Sequence, residues 1–360
     1  MKKILIIAAS ILFISACNKY EIKDQNKGQA IDFRVALETK ATEITTTNLT
    51  EFYVTALKDD GSIYFEDLLF TRNVSGYFES GQKYYWPAEG SLHFYAYYPG
   101  ADALKIIDDP LKITDYNAVS DITKQTDIII AKATGNKTAN QETGVELEFA
   151  HQLSQVEIKA VNNNAAYTYS IKGVKIANVN TVGSLDFSGT STEWVSETPD
   201  DYVIEYENAK PILSDPVTLM SNAMLIPQNT EAWVVNPEDV TPEETPEGGD
   251  TPAEQAEEGD NIGSYISILV QINRVVDNQT TARVYPKGAE VEYAWMAAPV
   301  AFNWVAGYKY VITLDLGKGG GYEDPDNDVT DDDVEKVLGG QMKFSVSVGS
   351  WYHTGYGQNL

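Results

Sequence analysis

"VELEFAHQLSQVEIKAV", residues 145–161, decides the fold class. Val145, Leu147 and Phe149 alternate with glutamates, and after a polar break Val156 and Ile158 resume the alternation in "QVEIKAV". A period of two places the apolar side chains on one face of an extended strand and the polar ones on the other, which is how a half-buried β-sheet reads. His151 falls in the break between the runs, where a ring nitrogen can hydrogen-bond a turn, and it reads as a structural histidine.

The same pattern recurs along the chain. Tyr308, Tyr310, Ile312 and Leu314 alternate in "YKYVITLDL", and Phe344, Val346 and Val348 alternate in "KFSVSVGSW". The runs are short and bounded by Gly, Asn, Asp and Pro. Helical periodicity is scarce, with Asp331 to Leu338 the one stretch that reads as a turn or two. Beyond an N-terminal leader about 340 residues remain, more than one core holds. The expectation is an all-β protein of two antiparallel β-sandwich domains in tandem. Residues 30–163 form the first domain and 164–360 the second, with "NNNAAY" at 162–167 as the hinge.

The N-terminus carries its own signal. Met1, Lys2 and Lys3 precede an apolar run from Ile4 to Ile14, too short to cross a bilayer, which takes about 20 residues. Ile14, Ser15 and Ala16 then stand directly before Cys17, the single cysteine of the chain. This arrangement resembles the lipobox of bacterial lipoproteins, in which the thiol is acylated and the chain is cut on its N-terminal side. Residues 1–16 are therefore read as a signal peptide and 17–29 as a tether. With its thiol committed to lipid the protein has no disulfide, so the fold must rest on core packing.

Composition excludes several partners. The 53 acidic and 26 basic residues give a net charge of −27, the wrong sign for nucleic acid or an anionic lipid surface. Residues 236–262 contain neither Lys nor Arg and are rich in Pro, Gly and Glu; they read as a disordered surface loop. "EDPDNDVTDDDVE", residues 323–335, spaces carboxylates as a calcium loop would when counted from Asp324. Val329 occupies the sixth position, where such loops need Gly, and no helix flanks it. The segment 317–335 is read as a solvated acidic linker.

Enzyme chemistry finds no purchase. His93, His151 and His353 are isolated, with no spacing that would seat two imidazoles on one metal, and no GxSxG elbow or phosphate loop is present. No cofactor or metal is expected. The 22 tyrosines and 6 tryptophans raise carbohydrate stacking as an alternative role, densest in "KYYWPAEGSLHFYAYYPG", residues 83–100. There Leu92, Phe94, Ala96 and Tyr98 share one face of a strand and His93, Tyr95 and Tyr97 the other, which favours burial over display.

Taken in order, "AIDFRVALETKAT" at 30–42, "YYWPAEGSLHFYAYYPG" at 84–100, "LEFAHQLSQVEIKAV" at 147–161, "LIPQNTEAW" at 225–233, "WVAGYKYVITLDL" at 304–316 and "FSVSVGSW" at 344–351 resemble the fimbrillin-like proteins. These are subunits of the type V pili of Gram-negative gut and oral anaerobes. The resemblance implies two transthyretin-like β-sandwiches and a precursor lipidated at Cys17 and carried to the outer membrane. It also implies assembly with other pilus subunits by strand exchange, after a trypsin-like protease removes the first strand. The acidic insert at 236–262 is the main departure. An adhesion ligand on a host or bacterial surface is a further implied partner.

Residues with suitable physics sit where that scheme needs them. Ile31, Phe33, Val35 and Leu37 alternate on one face of the first strand, whose removal would expose an apolar groove and unpaired backbone. Lys40, in the polar "ETKATEITTTN", is the favoured processing site and reads equally as a solvated loop lysine; Arg34 is the alternative but lies mid-strand. Phe344, Val346 and Val348 make the last strand a candidate donor. Trp351 reads either as its anchor or as the last core residue. A monomeric, glycan-binding surface lipoprotein is the competing reading.

Overall fold

The computed structural model of the protein describes residues 30–36, 49–235, 263–326 and 336–350, with short breaks at 75–77, 105, 107–108, 190–192, 278, 289 and 340–341. Strands dominate the described residues. The first five are β1 (Phe33–Ala36), β2 (Glu51–Lys58), β3 (Ile63–Arg72), β4 (Phe78–Ser80) and β5 (Leu92–Tyr98). Then come β6 (Lys112–Asn117), β7 (Ile129–Gly135), β8 (Val145–Glu148), β9 (Ala150–His151) and β10 (Ser154–Val161). Two long strands follow, β11 (Tyr167–Asp186) and β12 (Glu193–Ile212), then β13 (Val217–Leu225), β14 (Tyr265–Val276) and β15 (Gln279–Tyr285). The chain closes with β16 (Ala294–Pro299), β17 (Tyr308–Asp315), the short β18 (Tyr322–Glu323) and β19 (Lys343–Ser350).

The all-β expectation holds, and the chain divides into two compact units, but the division does not fall at residue 163. Among the described residues the first unit contains 30–36, 49–100 and 130–149, and the second contains 101–129 and 150–350. The reason lies in β10. Val156, Ile158 and Ala160 are fully buried, and β10 pairs with β13 on one side and β17 on the other, which makes it a central strand of the second unit. The segment 162–167 is accordingly no hinge between domains: it turns β10 into β11 within the second unit, with the Asn162 carboxamide accepting from the Asn164 N–H and donating to the Tyr167 carbonyl.

In the first unit β2 pairs antiparallel with β3 and β5, and β3 with β4. The turn between β2 and β3 follows from "KDDGS": Gly61 takes the left-handed conformation at φ 79°, and the Asp60 carboxylate accepts from the Ser62 N–H. The core is aromatic. Phe52, Phe65, Phe70, Phe78, Phe94 and Trp86 are all buried, as the alternation in β2 and β5 requires.

The second unit holds two sheets. One runs β12-β11-β14-β16-β18, with β6 added to β11 and β15 to β14; the other runs β13-β10-β17-β19. Most pairs are antiparallel, but β10–β17 and β1–β8 are parallel, an arrangement alternation cannot reveal because it fixes faces and not directions. The linker expected at 317–335 is in part ordered: Leu316–Lys318 makes a 3-10 turn, β18 pairs with β16, and Tyr322 packs with Trp233 and Tyr265. Of the stretch 331–338 read as a helical turn or two, 331–335 lies outside the described residues, as does the acidic loop 236–262, and a 3-10 turn is found at Val337–Gly339.

Phe33 is 2 % exposed and meets Phe52, Phe70 and Phe94 edge-on, at centroid distances of 6.3, 4.9 and 5.1 Å. Truncating a buried Phe leaves a cavity its neighbours fill only in part, so Phe33→Ala is expected to cost roughly 3–5 kcal/mol of stability, read from urea unfolding. Val35, only half-buried, should cost much less when truncated.

Candidate functional site

The two strands singled out by sequence differ in how they are held. Strand β1 pairs in parallel with β8 over four residues, Phe33 with Val145 through Ala36 with Glu148. Just before it the Ile31 N–H donates to the Tyr84 carbonyl at 2.8 Å, and the Asp32 carbonyl accepts from Val145. Ile31 and Phe33 point into the aromatic core and Val35 is half-buried, matching the face assigned from alternation. Arg34 occupies the opposite, solvent-facing side, where its guanidinium stands 4.0 Å from Glu146 across the strand pair. Both side chains are largely exposed, so the pair contributes little to stability. Cys17, Leu37, Lys40 and Trp351 lie outside the described residues.

Strand β19 lies at the edge of its sheet, antiparallel to β17 over eight residues. Leu314, Ile312 and Tyr310 of β17 oppose Phe344, Val346 and Val348. These six side chains share one face, yet their surroundings diverge. Ile312 and Leu314 are 1 % and 0 % exposed, whereas Phe344 and Val346 are 38 % and 46 % exposed. The sandwich therefore covers β17 and stops short of β19. Val346 and Val348 line an open apolar groove with Phe302, Trp304, Tyr308 and Ile312. The other face of β19 presents Lys343, Ser345 and Ser347 to solvent. An edge strand with an uncovered apolar row is held by its backbone ladder and offers a free edge to another chain.

Sequence reasoning missed one cluster. Lys175 of β11 is buried, and its Nζ stands 2.7 Å from Asp326, 3.1 Å from Asp324 and 3.6 Å from Asp201. The Tyr265 hydroxyl donates to the same Asp326 oxygen at 2.7 Å, and the Tyr265 and Trp295 rings lie 5.3 and 5.5 Å from Nζ. Burial opposes the charge on Lys175, but the carboxylates of Asp324, Asp326 and Asp201 outweigh it and hold the ammonium above the ordinary lysine range. Asp326 is also opposed by burial, yet hydrogen bonds from Lys175 and Tyr265 bring it below the usual carboxylate range. For Asp201 burial prevails and the pKa rises.

Asp324 corrects the reading of a solvated linker: its side chain is fully buried, because Lys175 stands among the acids that looked solvated. The one available signal was Lys175 itself, a cation inside the apolar run "GVKIANV". Among the described residues no group of three or more His, Cys, Asp or Glu is placed to hold a metal ion. His151 is buried with Nδ1 2.7 Å from Asp127, so a carboxylate is among its partners.

The uneven cover across β17 and β19 has a direct test. Ile312→Ala should lose about 2–5 kcal/mol of stability, whereas Val346→Ser, at the position opposite, should stay within about 0.5 kcal/mol, both read from urea unfolding.

Comparison with known proteins places the chain. The family model described as fimbrillin-like matches residues 39–351. Among solved structures, a fimbrial protein from Bacteroides vulgatus is 13 % identical, with 89 % of this chain and 99 % of that one covered at a TM-score of 0.49. A fimbrial assembly protein from Parabacteroides distasonis is 13 % identical, covering 89 % and 96 % at 0.40. The fimbrial anchor protein Mfa2 from Porphyromonas gingivalis is 12 % identical, covering 91 % and 99 % at 0.31. No curated protein matches. The family model spans most of the chain, and the protein belongs to the fimbrillin-like family.

Proposed function

We propose that the protein is a subunit of a surface pilus that catalyses nothing and assembles with other subunits by exchange of strands. In this reading the precursor is lipidated at Cys17 and held at the outer membrane. Cleavage after Lys40 then frees β1, and a strand from another subunit fills its place. The fimbrillin-like family supports the pilus role.

One observation carries the strand-exchange part. Strand β1 is attached by a four-residue ladder yet delivers Phe33 into the aromatic core, while β19 presents apolar residues at the same alternate spacing with that face uncovered. Ile31, Phe33 and Val35 on one strand thus match Phe344, Val346 and Val348 on the other. Loss of β1 leaves the ring-lined slot of Phe52, Phe70 and Phe94 open and the edge of β8 unpaired, a state that another strand relieves. Arg34 fits a processing role less well than Lys40, because its backbone sits inside the β1–β8 ladder.

Limited trypsin digestion of the purified protein tests this reading, with mass spectrometry of the fragments and sizing of the product. The expected result is an early cut after Lys40, loss of the segment containing β1, and growth of oligomers that resist SDS. A product that is cut after Lys40 and stays monomeric, or a chain that resists trypsin there, would overturn strand exchange. In that event the glycan-binding alternative is taken up on a carbohydrate array.

A further inference from the structure

Lys175 and Asp324 stand close enough for a bond, and we propose that they condense into an intramolecular amide with loss of one water. The inference rests on the interior of the second unit and is independent of strand exchange. Nζ of Lys175 is 3.2 Å from Oδ1 and 3.1 Å from Oδ2 of Asp324. Near-equal distances to both oxygens, with the fixed dimensions of a carboxylate, put Nζ about 3–3.5 Å from Cγ, the range of a near-attack arrangement. Although so close to Nζ, Oδ2 accepts no hydrogen bond. Oδ1, by contrast, accepts from Nζ, so a single hydrogen bond holds the nitrogen against the carboxyl group.

The surroundings favour the neutral product. Asp324 is fully buried, Lys175 nearly so, and the rings of Tyr265 and Trp295 wall the pair. An ion pair sealed from water bears the desolvation cost of both charges, which an amide does not. Other lysine pairs among the described residues, such as Lys124–Asp121 and Lys318–Asp315, keep the ammonium in solvent.

A proton relay stands beside the pair. The carboxylate of Asp326 lies 2.7 Å from Nζ, and the Tyr265 hydroxyl donates to the same oxygen. The resting form is the ammonium. One proton passes from Nζ to Asp326, and the freed lone pair attacks Cγ of Asp324 to form the N–C bond. Asp326 returns that proton to an Asp324 oxygen. A second proton from Nζ reaches the same oxygen by the same path as the C–O bond breaks and water departs. Ammonium and carboxylate become amide and water, with no net change in protons or electrons. Asp326 is half exposed, which gives the water a way out. The product would tie β11 to the residue after β18, across 149 positions of sequence.

Intact-mass spectrometry of the purified, folded protein decides the matter. The expected mass is one water below that of the sequence, and tryptic digestion should yield a branched peptide joining Lys175 to Asp324, with no cleavage after Lys175. Lys175→Arg should show its full sequence mass. Asp326→Asn, with β-structure checked by circular dichroism, should retain most of its water. A wild-type protein at full sequence mass after incubation at neutral pH overturns the proposal, as does a lost water that maps to another residue. Water loss by Asp326→Asn at the wild-type rate overturns the relay.

Discussion

Phe33 is the residue on which the first unit turns. Its ring stands edge-on to Phe52, Phe70 and Phe94, so a strand joined by only four backbone pairs reaches the middle of an aromatic core. Edge-to-face contacts are directional, and three at once fix the ring more closely than area burial would. Among the other core rings, Phe78 and Phe149 pack on Phe52 at 4.8 and 5.3 Å, and Phe65 and Trp86 pack on Phe94 at 6.4 and 5.8 Å, so they depend on Phe33 indirectly. An interior built this way is complete only with its first strand present, while the ladder that holds that strand is short.

The second unit shows the converse economy. Its two sheets bury Ile312 and Leu314 completely but leave the outermost strand with one face to solvent, so β19 is fastened by backbone pairing more than by side-chain burial. About twenty residues earlier the chain is fastened in the opposite manner. Tyr322 fills an aromatic cluster, and Asp324 and Asp326 meet Lys175 in the interior. The firm and the loose attachments thus lie on either side of the segment that joins β18 to β19.

Much of this was legible from alternation. The faces of β1, β8, β10, β17 and β19 agree with the apolar rows read from sequence, because period two fixes which side chains share a surface whatever the strand pairs with; in β5 the row holds through Ala96, after which Tyr97, read on the other face, is buried and Tyr98 half-buried. Partners and boundaries were not legible. Strand β10 reads like its neighbour β8, yet the two belong to different units, since nothing in "QVEIKAV" says which sheet it will enter. The Lys175 cluster was hidden for another reason. Acid-rich sequence reads as solvated until a buried cation is known to lie opposite, and Lys175 comes 149 residues before Asp324. The difference between Ile312 and Val346 was invisible too, because it depends on how far the facing sheet extends.

The parallel pairing of β10 with β17 bears on the order in which the second unit forms. Gln155 to Val161 align with Lys309 to Asp315, so two neighbouring strands of one sheet are separated by most of the unit's length. Loop closure over such a span comes late and slowly, and the strand it leaves waiting is apolar on its inner face. A chain threaded from its N-terminus can close the sheet around β10 only after residues beyond 315 have emerged. Until then β10 has β13 alone for a neighbour. The topology delays closure of that sheet until nearly the whole polypeptide has been delivered.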